Sequence, residues 1–207
     1  HAYNNLGNAF KDLGQLKEAV TNYQKAIEKN PEFSEAHNNL GNAYKDLGEF
    51  DNAINGYQRA VNLDSNLYEA FYNLGVVFIQ LKRFNESIQF FQSAIEINPN
   101  FAQAFNNLGS ALMSLGRLEE SVNYFKQSLD VDADYVNAHN NLGIALTELG
   151  QLKAGAKSIE KALEIDSDFA EAHNSLGNIF KKFKKREKAL LCYERAYEIK
   201  PDMDFVL

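Results

Sequence analysis

The stretch AHNNLGNAY at residues 36–44 decides the fold, because variants of it recur along the whole chain. The alanine that opens it stands at residues 2, 36, 70, 104, 138 and 172, so the period is 34 residues without an insertion. A fixed period of this size is typical of repeat proteins, in which each unit packs only against its neighbours. The 207 residues are therefore expected to form a single array of six units, at 2–35, 36–69, 70–103, 104–137, 138–171 and 172–205.

Each unit is expected to contain two helices. In the second unit, apolar and small residues recur at three- and four-residue steps over about 34–47 and again over about 51–63, which indicates one buried face on each of two helices. Gly48 stands between them as a helix stop, and units three and six carry Lys82 and Lys184 at the same phase. The pattern predicts twelve helices of about 12–14 residues and no strands.

A second glycine lies inside every first helix, where glycine costs about 1 kcal/mol relative to alanine. These glycines are Gly7, Gly41, Gly75, Gly109, Gly143 and Gly177. Because the cost recurs in every unit, we expect that a larger side chain there would hold the partner helix away. The small Ala53 is expected to face Gly41, and the bulky Tyr57 to fill the space one turn further on.

Composition excludes several classes of partner and site. The net charge of −7 argues against a nucleic-acid backbone or an anionic membrane as the main partner. No run of about 18 apolar residues is present, so no membrane insertion is expected. The lone Cys192 excludes an intramolecular disulfide framework and a cysteine-rich metal site.

No catalytic or metal site is predicted. His37, His139 and His173 occur once per unit, whereas metal ligands must converge to about 2.1 Å from one ion, so structural roles are expected for them. No nucleophile–base arrangement, paired-carboxylate cleft or phosphate-binding loop is present, so we expect no enzyme activity, no metal and no cofactor. The basic run from Lys181 to Lys188 is interpreted as a solvated end of the array or as a docking patch for an acidic partner.

The repeat resembles the tetratricopeptide repeat (TPR) in its spacing of aromatic, Leu-Gly, Ala and Pro residues. In the first unit this pattern reads Tyr3, Leu6, Gly7, Phe10, Ala19, Tyr23 and Pro31. The similarity extends over residues 2–205, although the chain contains no Trp. It implies an all-α, right-handed superhelical solenoid of six helix-turn-helix units, with a concave groove lined by the first helix of each unit.

The helical period predicts which side of the first helix faces this groove. With Leu40 and Ala43 packed against the second helix, the opposite side carries Glu35, Asn38, Asn42 and Lys45. Equivalent positions in other units include Asn4, Asn8, Tyr72, Val76, Ile79, Asn106, Met113, Asn140 and Ile144. Apolar residues cluster in the middle of this stripe, and exposed apolar side chains often mark a binding site. The alternative is that neighbouring first helices bury part of these side chains against each other.

An asparagine precedes the Leu-Gly pair in five units. These residues are Asn5, Asn39, Asn73, Asn107 and Asn141, and Ser175 takes the place in unit six. They resemble the asparagine ladder of O-linked N-acetylglucosamine transferases, which implies that their amides hold an extended peptide through its backbone. An asparagine offers two donors and an acceptor, which suits that role. The alternative is that these amides bond within the array and brace one unit to the next.

These observations predict a scaffold that binds a protein or an extended peptide in the groove. Two alternatives are a substrate-selecting module of a larger glycosyltransferase and an assembly scaffold that acts through its ends. The chain begins one residue before a repeat, so we expect a fragment of a longer protein. Residues after Pro201 are expected to start a seventh first helix. The last second helix is expected to lack a covering helix, which predicts end-to-end self-association.

Overall fold

The computed structural model describes residues 1–202, which fold into twelve α-helices without a strand. In chain order these are α1 (Ala2–Asp12), α2 (Leu16–Lys29), α3 (Ser34–Asp46), α4 (Phe50–Leu63), α5 (Tyr68–Gln80), α6 (Phe84–Ile97), α7 (Ala102–Ser114), α8 (Leu118–Val131), α9 (Val136–Glu148), α10 (Leu152–Ile165), α11 (Ala170–Lys182) and α12 (Arg186–Ile199). The predicted all-α class and the six helix-turn-helix repeats are confirmed. The predicted start of a seventh first helix lies outside the described residues.

The helices group into two compact units, one at His1–Pro99 with α1 to α6 and one that begins at Asn100 and contains α7 to α12. Inside each unit, the two helices of a repeat pack together, and the second helix also packs on the first helix of the next repeat. Neighbouring first helices contact each other, whereas no comparable contact joins second helices within either unit of the described chain. Each unit therefore curves with its first helices on the inner side.

The turn between the two helices of each repeat requires one residue in the left-handed backbone conformation, with a positive φ angle. Gly48 has φ 77°, and the glycines at the same phase in repeats one, four and five have φ of 72–78°. Lys82 and Lys184 adopt the same conformation, with φ of 57° and 61°. This conformation costs a residue that has a Cβ about 1–2 kcal/mol, so the turns of repeats three and six are locally strained.

Replacement of Lys82 by glycine is expected to raise the free energy of unfolding by about 0.5–1 kcal/mol. Relief of the left-handed strain is worth about 1–2 kcal/mol, and the greater freedom of glycine in the unfolded chain removes part of that gain. Urea unfolding followed by circular dichroism measures the change. The control is Lys82→Ala, which also removes the charged side chain but keeps the Cβ. An equal gain from both substitutions would contradict the explanation.

The close approach of the two helices in a repeat explains the internal glycines. A Cβ on Gly41 would lie 2.6 Å from Cε1 of Tyr57 and 3.1 Å from the carbonyl oxygen of Ala53. The aromatic ring therefore lies directly over the glycine, closer than the prediction placed it. Equivalent contacts occur in every repeat, and the large side chains involved are Tyr23, Tyr57, Phe91, Phe125, Ile159 and Tyr193. We refer to these six residues as the plug residues.

The outer face of α12 carries large apolar side chains that are exposed. Leu190, Leu191 and Tyr197 are 57%, 64% and 60% exposed, whereas Ala196 on the same helix is buried. End-to-end association through this face stays a prediction.

Among residues 1–202, no helix is both long and apolar enough to cross a membrane.

Candidate functional site

Asparagine side chains join neighbouring repeats on the inner side of each unit. In the first unit, Nδ2 of Asn39 donates to Oδ1 of Asn4 at 3.1 Å, and Nδ2 of Asn73 donates to Oδ1 of Asn38 at 3.1 Å. In the second unit, Nδ2 of Asn141 donates to Oδ1 of Asn106 at 2.9 Å. Three of the five ladder asparagines named from the sequence, Asn39, Asn73 and Asn141, therefore brace one repeat to the one before it.

Four asparagines that the sequence placed on the groove side are buried, and three of them are the acceptors of these bonds. Asn4, Asn38, Asn106 and Asn140 were predicted to face the groove, but they are only 1%, 7%, 4% and 5% exposed. The helical period shows only which side of one isolated helix is free, whereas in the array the neighbouring first helix packs on that side. The Asn-Asn pairs at 4–5, 38–39 and 106–107 are the signal that was available, because the first member of each accepts from an amide of the next repeat.

The braces use only part of each ladder amide. Asn39, Asn73 and Asn141 each donate one N–H, and nothing else in residues 1–202 hydrogen-bonds to their second N–H or their Oδ1. All three side chains are half-buried, and Asn5 in the first repeat is exposed. Oδ1 of Asn107 accepts from Nδ2 of Asn106 at 3.2 Å. Partly used amides therefore remain at Asn39 and Asn73 in the first unit and at Asn141 in the second.

Asn8 and Asn42, also predicted as binding residues, are held by plug tyrosines. The Tyr23 hydroxyl donates to Oδ1 of Asn8 at 2.7 Å, and the Tyr57 hydroxyl donates to Oδ1 of Asn42 at 2.8 Å. Burial raises the pKa of Tyr23 to about 12, with further contributions from the carboxylates of Asp12 and Asp46. Burial also raises the pKa of Tyr57, with a further contribution from the carboxylate of Asp46. Both phenols therefore stay protonated and remain donors at neutral pH.

The predicted apolar binding residues are all half-buried. These are Tyr72, Val76, Ile79, Met113 and Ile144. Tyr72 lies 5.7 Å from the plug residue Phe91 between ring centroids, and Met113 packs against the core around Phe125. Val76 and Ile144 occupy the position that Asn8 and Asn42 occupy in the first two repeats. The plug residues of their repeats, Phe91 and Ile159, have no hydroxyl group that could donate a hydrogen bond to an asparagine at that position. Part of the apolar stripe therefore follows from core packing.

A cavity of about 330 Å³ lies between α9 and α11 in the second unit. Its apolar walls are Ile144, Ile159 and Ile179, and Asn174 and Ser175 line it from α11. Glu148 and Lys182 also line the cavity, and both are exposed, so it reaches the surface. Ile144 is the one predicted binding residue among its walls, and Thr147, Asn174 and Asn178, which the helical period also places on the groove side, line it as well. The cavity itself was not predicted.

The same pair of helices contains two buried acceptors without a donor. Oδ1 of Asn140 and Oδ1 of Asn174 have no hydrogen-bond partner within residues 1–202. Asn140 occupies the acceptor position of the brace, but repeat six carries Ser175 where the donor asparagine stands in the other repeats. The Ser175 hydroxyl donates instead to the Glu171 carbonyl oxygen at 2.8 Å. One brace is therefore missing between repeats five and six.

Replacement of Ser175 by asparagine is expected to raise the free energy of unfolding by about 1–3 kcal/mol, because a buried acceptor that lacks a donor costs about that much. The new Nδ2 at position 175 is expected to donate to Oδ1 of Asn140, in the same way that Nδ2 of Asn141 donates to Oδ1 of Asn106. Thermal and urea unfolding measure the gain. In an Asn140→Ala background the acceptor is gone, so the same substitution is expected to give no gain. An equal gain in both backgrounds would show that the brace is not its cause.

The three interior histidines are structural. Nε2 of His37, His139 and His173 lies 2.9–3.0 Å from a backbone carbonyl oxygen six residues earlier, in the turn that enters the repeat. Within residues 1–202, there is no group of three or more His, Cys, Asp or Glu side chains that could hold a metal ion.

Cys192 is half-buried, and burial raises the pKa of its thiol, so the thiol stays protonated at neutral pH.

The basic residues between Lys181 and Lys188 are exposed at the turn of the last repeat. Nζ of Lys185 lies 5.6 Å from the Phe183 ring centroid, and Nζ of Lys188 lies 5.8 Å from that of Phe180. These cations therefore cover aromatic rings at this end while their charges remain in solvent.

Sequence models of known repeats match most of the chain. A model described as TPR repeat matches residues 7–48, 41–82 and 109–150. Models described as tetratricopeptide repeat match residues 68–101, 90–123, 136–169 and 170–203. A search of curated protein sequences finds no significant match.

Several solved structures share the fold of the chain. YrrB, described as a TPR protein with an unusual peptide-binding site, is 26% identical, with a TM-score of 0.68 over 87% of this chain and 93% of that one. PilW, a type IV pilus biogenesis factor, is 18% identical, with a TM-score of 0.88 over 99% of this chain and 95% of that one. PilF of Pseudomonas aeruginosa is 20% identical, with a TM-score of 0.84 over 98% and 92%.

Proposed function

The chain belongs to the tetratricopeptide repeat family, and from that membership we propose that it is a scaffold that binds an extended segment of a partner protein along the inner sides of its first helices. The observation that carries the proposal is the set of partly used amides of Asn39, Asn73 and Asn141. Each amide is fixed by a brace and still offers an N–H and a carbonyl oxygen. A fixed amide binds with a smaller entropy cost than a mobile one.

The spacing of the amides suits a peptide backbone. Neighbouring helices lie about 8–10 Å apart, and an extended chain advances about 3.3 Å per residue. Each ladder amide would therefore meet a backbone group at about every third residue of the partner. Because backbone groups are the same in all sequences, these contacts supply affinity without selecting a sequence. Selection would come from the half-buried apolar residues Tyr72, Val76, Ile79, Met113 and Ile144.

The relative YrrB supports a peptide as the ligand class, since its structure is described as containing a peptide-binding site. Within this proposal, the ladder also suits a substrate-selecting module of a larger glycosyltransferase, in which the same face would hold the substrate. An assembly scaffold that acts through its ends would instead use the exposed apolar side chains of α12. The proposal assigns no catalytic step to this chain.

The test compares two variants that lose the same brace. Asn73→Ala removes the brace and the amide that faces the partner, whereas Asn38→Ala removes the brace and keeps that amide. Peptides are first selected on the immobilised chain from a random twelve-residue library, and their affinities for each variant are then measured. Asn73→Ala is expected to weaken every selected peptide about two- to twelve-fold, the value of one neutral hydrogen bond.

Asn38→Ala is expected to lower the melting temperature and to weaken these peptides less than Asn73→Ala does, because the Asn73 amide is still present but is no longer fixed. Ile79→Ser is expected to change the ranking of the peptides, because an apolar contact distinguishes side chains. The proposal is wrong if the library yields no binding peptide. It is also wrong in its mechanism if Asn73→Ala binds every selected peptide as tightly as the parent does.

A further inference from the structure

The repeat pattern breaks in several places that come together at the cavity between α9 and α11. Ile159 is the one plug residue without an aromatic ring, and Ser175 is the one replacement of a ladder asparagine. Ile144 stands where three other repeats have asparagine. All three side chains line the cavity. Two of these changes replace a larger side chain by a smaller one, which explains why space opens here.

The size of the cavity indicates that it takes more than water. Protein interiors are close-packed, and voids much larger than a water molecule are few. A volume of about 330 Å³ is many times that of one water and lies at the lower end of the range for ligand sites. Of the three isoleucine side chains that line the cavity, Ile144 is half-buried, whereas Ile159 and Ile179 are 0% and 1% exposed. An apolar group from a ligand would cover the exposed part of Ile144 better than water does.

The charges at the opening favour a peptide. Glu148 supplies an acceptor and Lys182 supplies a donor, so the opening has no net charge of its own. This pairing matches the N–H and the carbonyl oxygen of the peptide units on either side of an inserted side chain. A ligand with a net charge would be attracted by one of the two groups and repelled by the other. Asn174 also lines the cavity, although its Oδ1, which lacks a donor within residues 1–202, is buried.

We propose that this cavity is the specificity subsite of the scaffold and accepts one large aliphatic or aromatic side chain of the bound segment. This inference rests on the proposed function, because it assigns a sequence preference to the same inner side of the repeats. Ladder amides hold the backbone at any sequence, and the cavity sets the position at which the partner must carry a side chain such as Leu or Phe.

The test uses capped single amino acids rather than library peptides. The whole chain is labelled with ¹³C at the isoleucine δ1 methyl groups, and N-acetyl-leucine amide, N-acetyl-phenylalanine amide and N-acetyl-alanine amide are titrated in turn. The leucine and phenylalanine compounds are expected to shift the methyl signals of Ile144, Ile159 and Ile179 in a saturable way. The alanine compound is expected to bind about ten-fold more weakly or worse, since it buries several fewer carbon atoms. Ile54, in the first unit, is the internal control and should not shift.

A matched variant fills the cavity with a pair taken from the chain itself. Ile144→Asn/Ile159→Tyr reproduces the Asn42–Tyr57 pair of repeat two, whose hydroxyl bond is 2.8 Å long. This variant is expected to fold and to lose the response at Ile179. Ser175→Asn is a second, single variant that narrows the same space and is expected to weaken the response. The subsite is refuted if the parent chain shows no saturable shift, or if both variants respond as the parent does.

The outcomes separate this inference from the proposed function. Capped leucine needs no ladder contact, so a saturable shift supports the subsite even where the library yields no binding peptide. If library peptides bind but no capped residue shifts the three methyl signals, the subsite is wrong and the scaffold function stands.

Discussion

Replacement of Tyr57 by alanine is expected to lower the free energy of unfolding by about 3–5 kcal/mol, the cost of removing a large buried aromatic side chain. Tyr57 has no exposed surface, and its ring covers Gly41 on the facing helix. The substitution leaves a cavity between α3 and α4 and removes the donor to Asn42. Urea unfolding monitored by circular dichroism at 222 nm measures the loss.

The control is Tyr57→Phe, which keeps the ring and removes only the hydroxyl. It is expected to cost about 0.5–1.5 kcal/mol, the net value of one hydrogen bond. Phe91 and Phe125 occupy the same position in repeats three and four, so the site tolerates phenylalanine. If Tyr57→Phe costs as much as Tyr57→Ala, packing of the ring over the glycine is not the main contribution.

Replacement of Gly41 by alanine is expected to lower the free energy of unfolding by about 1–3 kcal/mol, a typical cost of overpacking a core. Helix propensity alone predicts the opposite, a gain of about 1 kcal/mol. The overpacking effect is larger because the new Cβ would lie 2.6 Å from the Tyr57 ring and 3.1 Å from the backbone oxygen of Ala53. The Tyr57 ring has no exposed surface, so close-packed neighbours leave it little room to move away from the new Cβ. The same unfolding assay measures the sign.

A double-mutant cycle separates the two effects on Gly41. In the Tyr57→Ala background the ring is absent, so Gly41→Ala is expected to cost much less than in the parent chain. The two substitutions should therefore be strongly non-additive, as expected for residues in contact. Additive costs would contradict the account of why glycine is present in every first helix.

The period of 34 residues made the helices and their pairing predictable from sequence. Helix boundaries follow from local signals, and α3 and α4 begin and end within about a residue of the expected positions. The turn glycines and the internal glycines were also interpreted correctly, because each reflects a constraint within one repeat. The two lysines at left-handed turns show that the repeat geometry overrides local preference.

Contacts between repeats were harder to predict. Asn4 and Asn38 are buried because a neighbouring first helix packs on the side that a single helix would leave open. The cavity beside Ile159 depends on Ser175, which is 16 residues away and belongs to the next repeat. Such features depend on how consecutive repeats stack, and a helical wheel for one repeat does not contain that information. The residues that depart from the repeat pattern were the signal available in the sequence. They point to the cavity only when the same position is compared across all six repeats.

The ladder asparagines connect stability with the proposed binding. A brace orients each amide and uses one of its hydrogen atoms, so the groups left for a partner are fixed before binding. Loss of an amide is therefore expected to lower both stability and affinity, whereas loss of its acceptor is expected to lower stability and to reduce affinity less, because the amide remains but loses its fixed orientation. The pair Asn73→Ala and Asn38→Ala distinguishes these two effects within one unit.

The most direct test of the central claim is an NMR measurement of intermolecular contacts between the labelled chain and a peptide selected from the library. The account predicts nuclear Overhauser effects between the peptide backbone and the side-chain amides of Asn39, Asn73 or Asn141, with an extended peptide along the first helices. Contacts confined to the outer faces of the second helices or to the basic turn at Lys181–Lys188, with the ladder amides unchanged, would contradict it.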